Sequence, residues 1–245
     1  MLTAWLGAVC FTLQVYFDFS GYSDMAIGMA RCFGFRLSEN FRYPYAAASL
    51  RQFWERWHIS LSSWIREYLY VPLGGNRGGE LRTHINLWIC FLACGLWHGA
   101  AWTFLLWGAM HGAGLTVQRH YDRHIRRALP RALSVPLTFV FVVVTMVAFR
   151  APSLAADAAY YRALFSVPRS FFIQVFFDDA IGLTLLLALF LSLSPALPVF
   201  PRVRSWLTEQ GRRQMLLTAS AVPLLLLAAA RALGTRANPF LYFRF

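Results

Sequence analysis

The chain has 245 residues, of which 58% are hydrophobic and only 14% charged. A soluble domain usually carries about 25% charged residues, so this composition excludes an ordinary soluble fold and points to a membrane protein. The net charge of +12 comes entirely from Arg, and these Arg lie between apolar runs rather than on one face, which excludes a nucleic-acid-binding surface.

The first apolar run, Met1–Phe17, approaches the roughly 20 residues that a spanning helix needs. It lacks a basic leader and a small-residue cleavage site, so it reads as a span and not as a removable signal. It leads into Phe17-Asp18-Phe19-Ser20-Gly21-Tyr22-Ser23-Asp24. Two carboxylates beside small residues fit either a polar helix end, with Ser20 and Ser23 as capping residues, or a polar patch lining a cavity. Met25–Phe35 is short and contains Gly, and reads as a half-helix.

Phe41-Arg42-Tyr43-Pro44-Tyr45 forms a turn with aromatic anchors. The spacing then predicts a strongly amphipathic helix over Leu50–Val71. Its apolar stripe contains Phe53, Trp54, Trp57, Leu61, Trp64 and Ile65, and its other face carries Arg51, Glu55, His58 and Arg66. Such a helix lies at the membrane interface or lines a polar cavity. His58 on the polar face is either solvated or functional. The Gly-rich run Pro72–Gly79 has no Gly-Lys-Ser/Thr, so it is a turn and not a phosphate loop.

Ile85–Gln118 contains no Asp, Glu, Lys or Arg. Straight, it would reach about 50 Å, far beyond a hydrocarbon core of roughly 30 Å. It is therefore tilted, broken or two pieces, and glycines at 95, 99, 108, 112 and 114 favour a break. His98 sits near its middle, in Gly95-Leu96-Trp97-His98-Gly99. An ionisable side chain at membrane depth marks a functional site or a satisfied core histidine. His111 would face about 220° away from His98 on one straight helix, so both serve one site only if the segment bends. Cys90, Cys94 and His98 share a helix face, but three such residues are an incomplete metal set, so packing explains them and no metal is expected. With Cys10 and Cys32 also in apolar surroundings, no disulfide framework is expected.

Ala132–Phe149, Ala180–Pro201 and Gln214–Ala230 read as further spans. The tail Asn238–Phe245 is aromatic, as at a membrane interface. Arg119, Arg123, Arg126, Arg127 and Arg131 form one basic loop, and Arg202, Arg204, Arg212 and Arg213 another. The positive-inside rule makes both cytoplasmic. The connection between Arg150 and Asp179, with Asp157, Arg162 and Arg169, falls on the opposite side.

Four strings in order carry a resemblance: Phe17–Asp24, Arg51–Ser60 (Arg-Gln-Phe-Trp-Glu-Arg-Trp-His-Ile-Ser), Pro72–Arg77 (Pro-Leu-Gly-Gly-Asn-Arg) and Leu96-Trp97-His98-Gly99. Together they are similar to the bacterial branch of the membrane-bound O-acyltransferases (MBOAT), of the alginate O-acetyltransferase type. The match is strongest from about Val15 to Gly114, and Ala148–Ala151 also fits. The resemblance implies an all-α fold: a polytopic transmembrane helix bundle with short, re-entrant and amphipathic interfacial helices. It implies that His98 is catalytic, that His58 pairs with it, and that His111 matches a further histidine of this branch. Family members are longer, so residues 1–245 are expected to form one membrane domain corresponding to the C-terminal part of a larger fold.

The resemblance further implies a multi-pass protein of the bacterial inner membrane. It would move acetyl groups from a cytoplasmic donor, acetyl-CoA, toward hydroxyls of an exported, alginate-like polysaccharide. No permanently bound cofactor is expected. The implied partners are the lipid bilayer, a periplasmic acetyltransferase and the polysaccharide acceptor, with no nucleic acid. A neutral imidazole suits the general base, because its reference pKa of about 6.5 lies near operating pH. His98 takes that role, and His58 orients it or stabilises the developing oxyanion. The alternative is a non-catalytic membrane channel or scaffold that passes acyl groups to a separate periplasmic transferase. A generic transporter is a third reading, disfavoured by the motifs.

Single cysteines between residues 119 and 131 are expected to resist membrane-impermeant thiol reagents in intact cells, and those between 150 and 179 to react. Labelling of the 119–131 loop from outside would reverse this orientation.

Overall fold

A computed structural model describes residues 1–125, 129–166 and 179–234. Arg126, Arg127, Arg169 and the aromatic run Asn238–Phe245 lie outside the described residues. The fold is all-α, with no strand among the described residues. In chain order the helices are α1 (Leu2–Cys32), α2 (Leu50–Trp54), α3 (Ile59–Ile65), α4 (Glu80–His98), α5 (Trp102–His124), α6 (Arg131–Arg150), α7 (Leu154–Phe165), α8 (Asp179–Leu193), α9 (Phe200–Thr208) and α10 (Gln210–Gly234). By length and composition α1 and α6 can each cross a membrane.

The helix α6 lies at the centre. Val142, Val143, Met146 and Val147 are buried, and the helix packs against α1, α5 and α7. Hydrogen bonds to main-chain carbonyls tie α7 to this core. Tyr160 donates to Ala4 at 2.8 Å and Tyr161 to Val144 at 2.9 Å. The Trp5 indole returns a bond to Leu164 at 3.1 Å.

The expected break between Met1–Phe17 and Met25–Phe35 is absent, because α1 runs unbroken through both carboxylates for 31 residues. Its Asp and Ser residues occupy helix positions, and Ser23 is buried against Asn40 at 3.3 Å. The helix stops at Gly34, whose φ of +82° lets the Gly34 N–H reach Arg31 and the Phe35 N–H reach Ala30. This is the left-handed exit that glycine favours.

The continuous helix expected over Leu50–Val71 is also corrected. It consists of α2, a reversal at Glu55–His58, α3, and a π-helical turn at Arg66–Tyr70. His58 has φ 42° and ψ 56°, a left-handed conformation uncommon for a residue with a Cβ. The cause is tertiary. The Arg42 N–H donates to Arg56 and the Ile59 N–H to Asn40, both at 2.9 Å, so residues 40–42 bind the backbone where the helix opens. The first turn of α2 is capped from afar: the Gln118 side chain on α5 accepts the Leu50 N–H at 2.8 Å.

Ile85–Gln118 is broken as expected. Gly99–Ala101 separate α4 from α5, and the two helices fold back on each other. Glycine makes the close approach possible. A Cβ at Gly95 would strike the Phe104 carbonyl, and one at Gly108 the Phe91 carbonyl. Ala180–Pro201 does not form a straight span. The helix α8 ends at Leu193, a 3₁₀ turn follows at Ser194–Ala196, and the chain bends by 101° into α9. Pro195, Pro198 and Pro201 fall in or beside that bend, where missing N–H groups prevent the helix from continuing. The expected span Gln214–Ala230 lies within α10.

Gly108→Ala is expected to separate α4 from α5 and cost about 1–3 kcal/mol, as overpacking does. A lower thermal midpoint in detergent would report it. Gly21→Ala is the control, since a Cβ there meets nothing within 4 Å. Equal midpoints for both variants would contradict the close packing.

Candidate active site

His98 is the last residue of α4, just before the Gly99–Ala101 reversal. Its position follows from the glycine-permitted packing of α4 on α5, which sets the end of α4 beside Phe149 near the end of α6. Four aromatic rings hold the half-buried imidazole. Trp97 lies at 4.9 Å, Phe149 at 5.0 Å, Trp107 at 5.1 Å and Phe104 at 6.2 Å, centroid to centroid. No hydrogen bond to the His98 ring exists among the described residues. Packing alone therefore orients this imidazole, and its nitrogens remain free to engage a reacting group.

His58 approaches from the opposite direction, on the α2–α3 reversal. Its ring lies 4.8 Å from Phe19 and 6.1 Å from Trp97. Trp97 thus touches both imidazoles, and the structure brings His58 and His98 together around it. His58 Nδ1 sits 3.2 Å from Asn40 Oδ1 and 3.3 Å from Ser60 Oγ. The same Asn40 oxygen accepts the Ser60 N–H at 3.1 Å and the Ser60 hydroxyl at 2.9 Å. It thereby caps the first turn of α3, whose own N-cap side chain makes no capping bond.

His111 lies elsewhere. It is fully buried on α5. Its ring contacts Trp107 at 4.9 Å, as His98 also does from α4. Trp107 separates the two imidazoles, so the bend brings them onto one indole but not into contact. His111 Nδ1 accepts the Trp54 indole N–H at 3.3 Å, and its Nε2 is buried without a partner. Phe53, Phe91 and Phe141 complete an aromatic box around it.

A cavity of about 770 Å³ opens beside the site. Arg51, Arg66, Arg119 and Arg123 line it together with the apolar Leu61 and Phe91. Neither His58 nor His98 lines it, although Cys94, one turn before His98, and Ile59, next to His58, both do. Sequence reasoning allowed the polar face with Arg51, Glu55 and Arg66 to line a cavity, as it does, but missed the α4 and α5 walls and also Asn40. The cavity is assembled from side chains of α2, α3, the π-helical turn, α4 and α5, and Asn40 has no chemistry of its own to draw notice.

Cys90, Cys94 and His98 form no metal group among the described residues. A different group, Glu80, His120 and His124, has its ligand atoms within 4.8 Å of one another. It lies at the far end of the α4–α5 pair, and Arg123 already pairs with Glu80 at 3.5 Å. The chemistry available at the His58–His98 site is therefore that of two imidazoles in an aromatic enclosure: proton transfer and hydrogen bonding to an oxygen substrate.

Residues 1–156 match the membrane-bound O-acyltransferase family. A probable alginate O-acetylase of Pseudomonas aeruginosa is 50% identical over 163 residues, covering 66% of this chain and 31% of that protein. A peptidoglycan O-acetyltransferase of Helicobacter pylori is 47% identical over 156 residues, covering 62% and 30%. A teichoic acid D-alanyltransferase of Bacillus subtilis is 27% identical over 146 residues, covering 54% and 37%. The chain spans about a third of the length of these relatives.

Trp54→Phe is expected to leave both nitrogens of the buried His111 without a protein partner. The loss should cost about 1–3 kcal/mol, the penalty for an unpaired buried polar group. Chemical or thermal denaturation measures it, and an unchanged midpoint would show that the Trp54–His111 bond carries no stability.

Proposed function

The chain belongs to the membrane-bound O-acyltransferase family, and on that basis we propose that it carries the transfer site of a membrane O-acetyltransferase. The enzyme moves an acetyl group from a cytoplasmic donor toward hydroxyls of an exported, alginate-like polysaccharide. One observation carries the proposal: His98 and His58, on separate breaks in the helical backbone, converge on Trp97. The names of the relatives support the reaction class and the polysaccharide acceptor.

A sugar hydroxyl is a weak nucleophile near neutral pH and must lose its proton as it attacks a thioester. Neutral His98, free of other hydrogen bonds, accepts that proton. The new C–O bond forms, the C–S bond breaks, and His98 returns the proton to the departing thiolate. His58 positions the reacting groups. His111 supports the site through Trp107 and does not touch substrate.

Acetyl-CoA suits the donor role. The arginines of the neighbouring cavity would meet its phosphates, and the apolar wall leading to Cys94 would admit its pantetheine arm. The setting is the bacterial inner membrane, spanned several times, with the donor on the cytoplasmic side. A periplasmic acetyltransferase would receive the acyl group or complete its delivery. Release of CoA by the purified protein separates this enzyme from a channel that only passes acyl groups onward.

In the full-length protein, His98→Ala should lower polysaccharide O-acetylation by about 10²–10⁴-fold, the usual contribution of a positioned general base. Protein level and membrane insertion should not change. His98→Gln should fail equally, because an amide cannot take the proton. His58→Asn should be milder than His58→Ala. A near-normal rate in His98→Ala would remove the base assignment.

A further inference from the structure

Three donors converge on the side-chain oxygen of Asn40: the Ser60 N–H at 3.1 Å, the Ser60 hydroxyl at 2.9 Å and His58 Nδ1 at 3.2 Å. The Ser60 backbone N–H can only donate, so the atom it meets is the Asn40 carbonyl oxygen and not the amide nitrogen. The amide nitrogen points the other way and donates to Ser23 Oγ at 3.3 Å.

This arrangement decides which nitrogen of His58 carries the proton. The oxygen of Asn40 is only an acceptor, so the approach of Nδ1 is favourable only if Nδ1 is an N–H. The Ser60 hydroxyl has one proton, and its contact with Asn40 at 2.9 Å is shorter than its contact with His58 Nδ1 at 3.3 Å. That leaves Nδ1 as a donor. A neutral imidazole has a single N–H, so Nε2 is bare. Nε2 makes no hydrogen bond among the described residues.

We infer that Asn40 is a positioning residue that locks neutral His58 in its Nδ1–H tautomer, so that His58 presents a proton-accepting Nε2 beside the His98 site. The inference rests on the acyl-transfer reading for its consequence, though not for its geometry. A bare Nε2 cannot donate a hydrogen bond to an oxyanion. His58 therefore accepts: it holds the proton of the incoming hydroxyl, or faces the imidazolium that forms when His98 takes that proton. Stabilisation of the oxyanion falls to another donor. The left-handed backbone at His58 belongs to the same device, because the reversal it permits brings Nδ1 and the Ser60 N–H onto one oxygen.

Two measurements on the full-length protein test this. The first is ¹⁵N spectroscopy of the histidine rings in lipid nanodiscs, with His58→Gln identifying the His58 signals. The wild-type ring should show a protonated Nδ1 and a bare Nε2. Asn40→Ala should shift the proton toward Nε2, whereas Asn40→Asp, which keeps an acceptor, should hold it on Nδ1. A wild-type proton on Nε2 overturns the inference whatever the protein's activity.

The second is acetyl transfer. Asn40→Ala should reduce kcat by about 10–100-fold with little change in KM, the loss seen when the partner orienting a metal-bound histidine is removed. Asn40→Asp should recover most of it. Equal losses in Asn40→Ala and Asn40→Asp would assign Asn40 to folding alone and overturn its positioning role. If the wild-type protein released no CoA and transferred no acetyl group while its spectrum showed the expected tautomer, the acyl-transfer reading would fail and the lock would stand.

Discussion

The structure depends on how the chain satisfies its backbone where the helix opens between Trp54 and Ile59. In apolar surroundings each unpaired peptide group costs several kcal/mol, so a broken helix survives only if other parts of the protein replace its lost hydrogen bonds. Residues 40–42 do this with two backbone bonds, from Arg42 to Arg56 and from Ile59 to Asn40, and with the Asn40 side chain on Ser60. Phe41, carried between them, is pressed onto Trp57 at 5.1 Å and Phe19 at 5.0 Å. The chain then enters the Pro44–Ala46 turn, where the buried Tyr45 hydroxyl reaches the Thr12 carbonyl at 2.7 Å. One local pairing thus anchors α2, α3 and the middle of α1.

The second arm of the site obeys a different constraint. The α4–α5 pair is held along its length by close backbone packing, with the Glu80–Arg123 ion pair at its far end, and Gly95 and Gly108 set its separation. This matters because apolar side chains gain little by leaving lipid for other apolar side chains, so helices in membranes associate through shape and proximity. The hydrogen-bonded arm fixes one imidazole and the shape-fitted arm fixes the other. Trp97 is where the two arms meet.

Much of this was legible in the sequence, and the failures share a cause. The break in Ile85–Gln118 followed from its length together with its glycines, and α6 from a single uninterrupted apolar run. His58 and His98 stood out by motif. The reading of Leu50–Val71 as one helix failed because Phe53, Trp57 and Leu61 keep helical spacing across the reversal. The signal that opens the helix lies in residues 40–42, beyond any local window. The polar stretch at Asp18–Asp24 fits a helix end or a cavity-lining patch in the sequence, and the helix-end alternative fails because a helix continues through carboxylates that it can place on a face near other polar groups. The bend after α8 was announced by Pro195, Pro198 and Pro201, but counting apolar residues outweighed them. Asn40 was invisible because its importance lies in what it accepts, and that is set by residues 18 and 20 positions further along the chain.

The walls around His98 have a consequence for charge. Trp97, Phe104, Trp107 and Phe149 offer no carboxylate, and no ion pair to His98 exists among the described residues. An imidazolium formed there is met by aromatic quadrupoles, an attraction of about 0.5–2 kcal/mol. A buried carboxylate would hold it far more tightly. The positive charge is therefore shallowly bound and short-lived, and the enclosure favours passing a proton on over storing it.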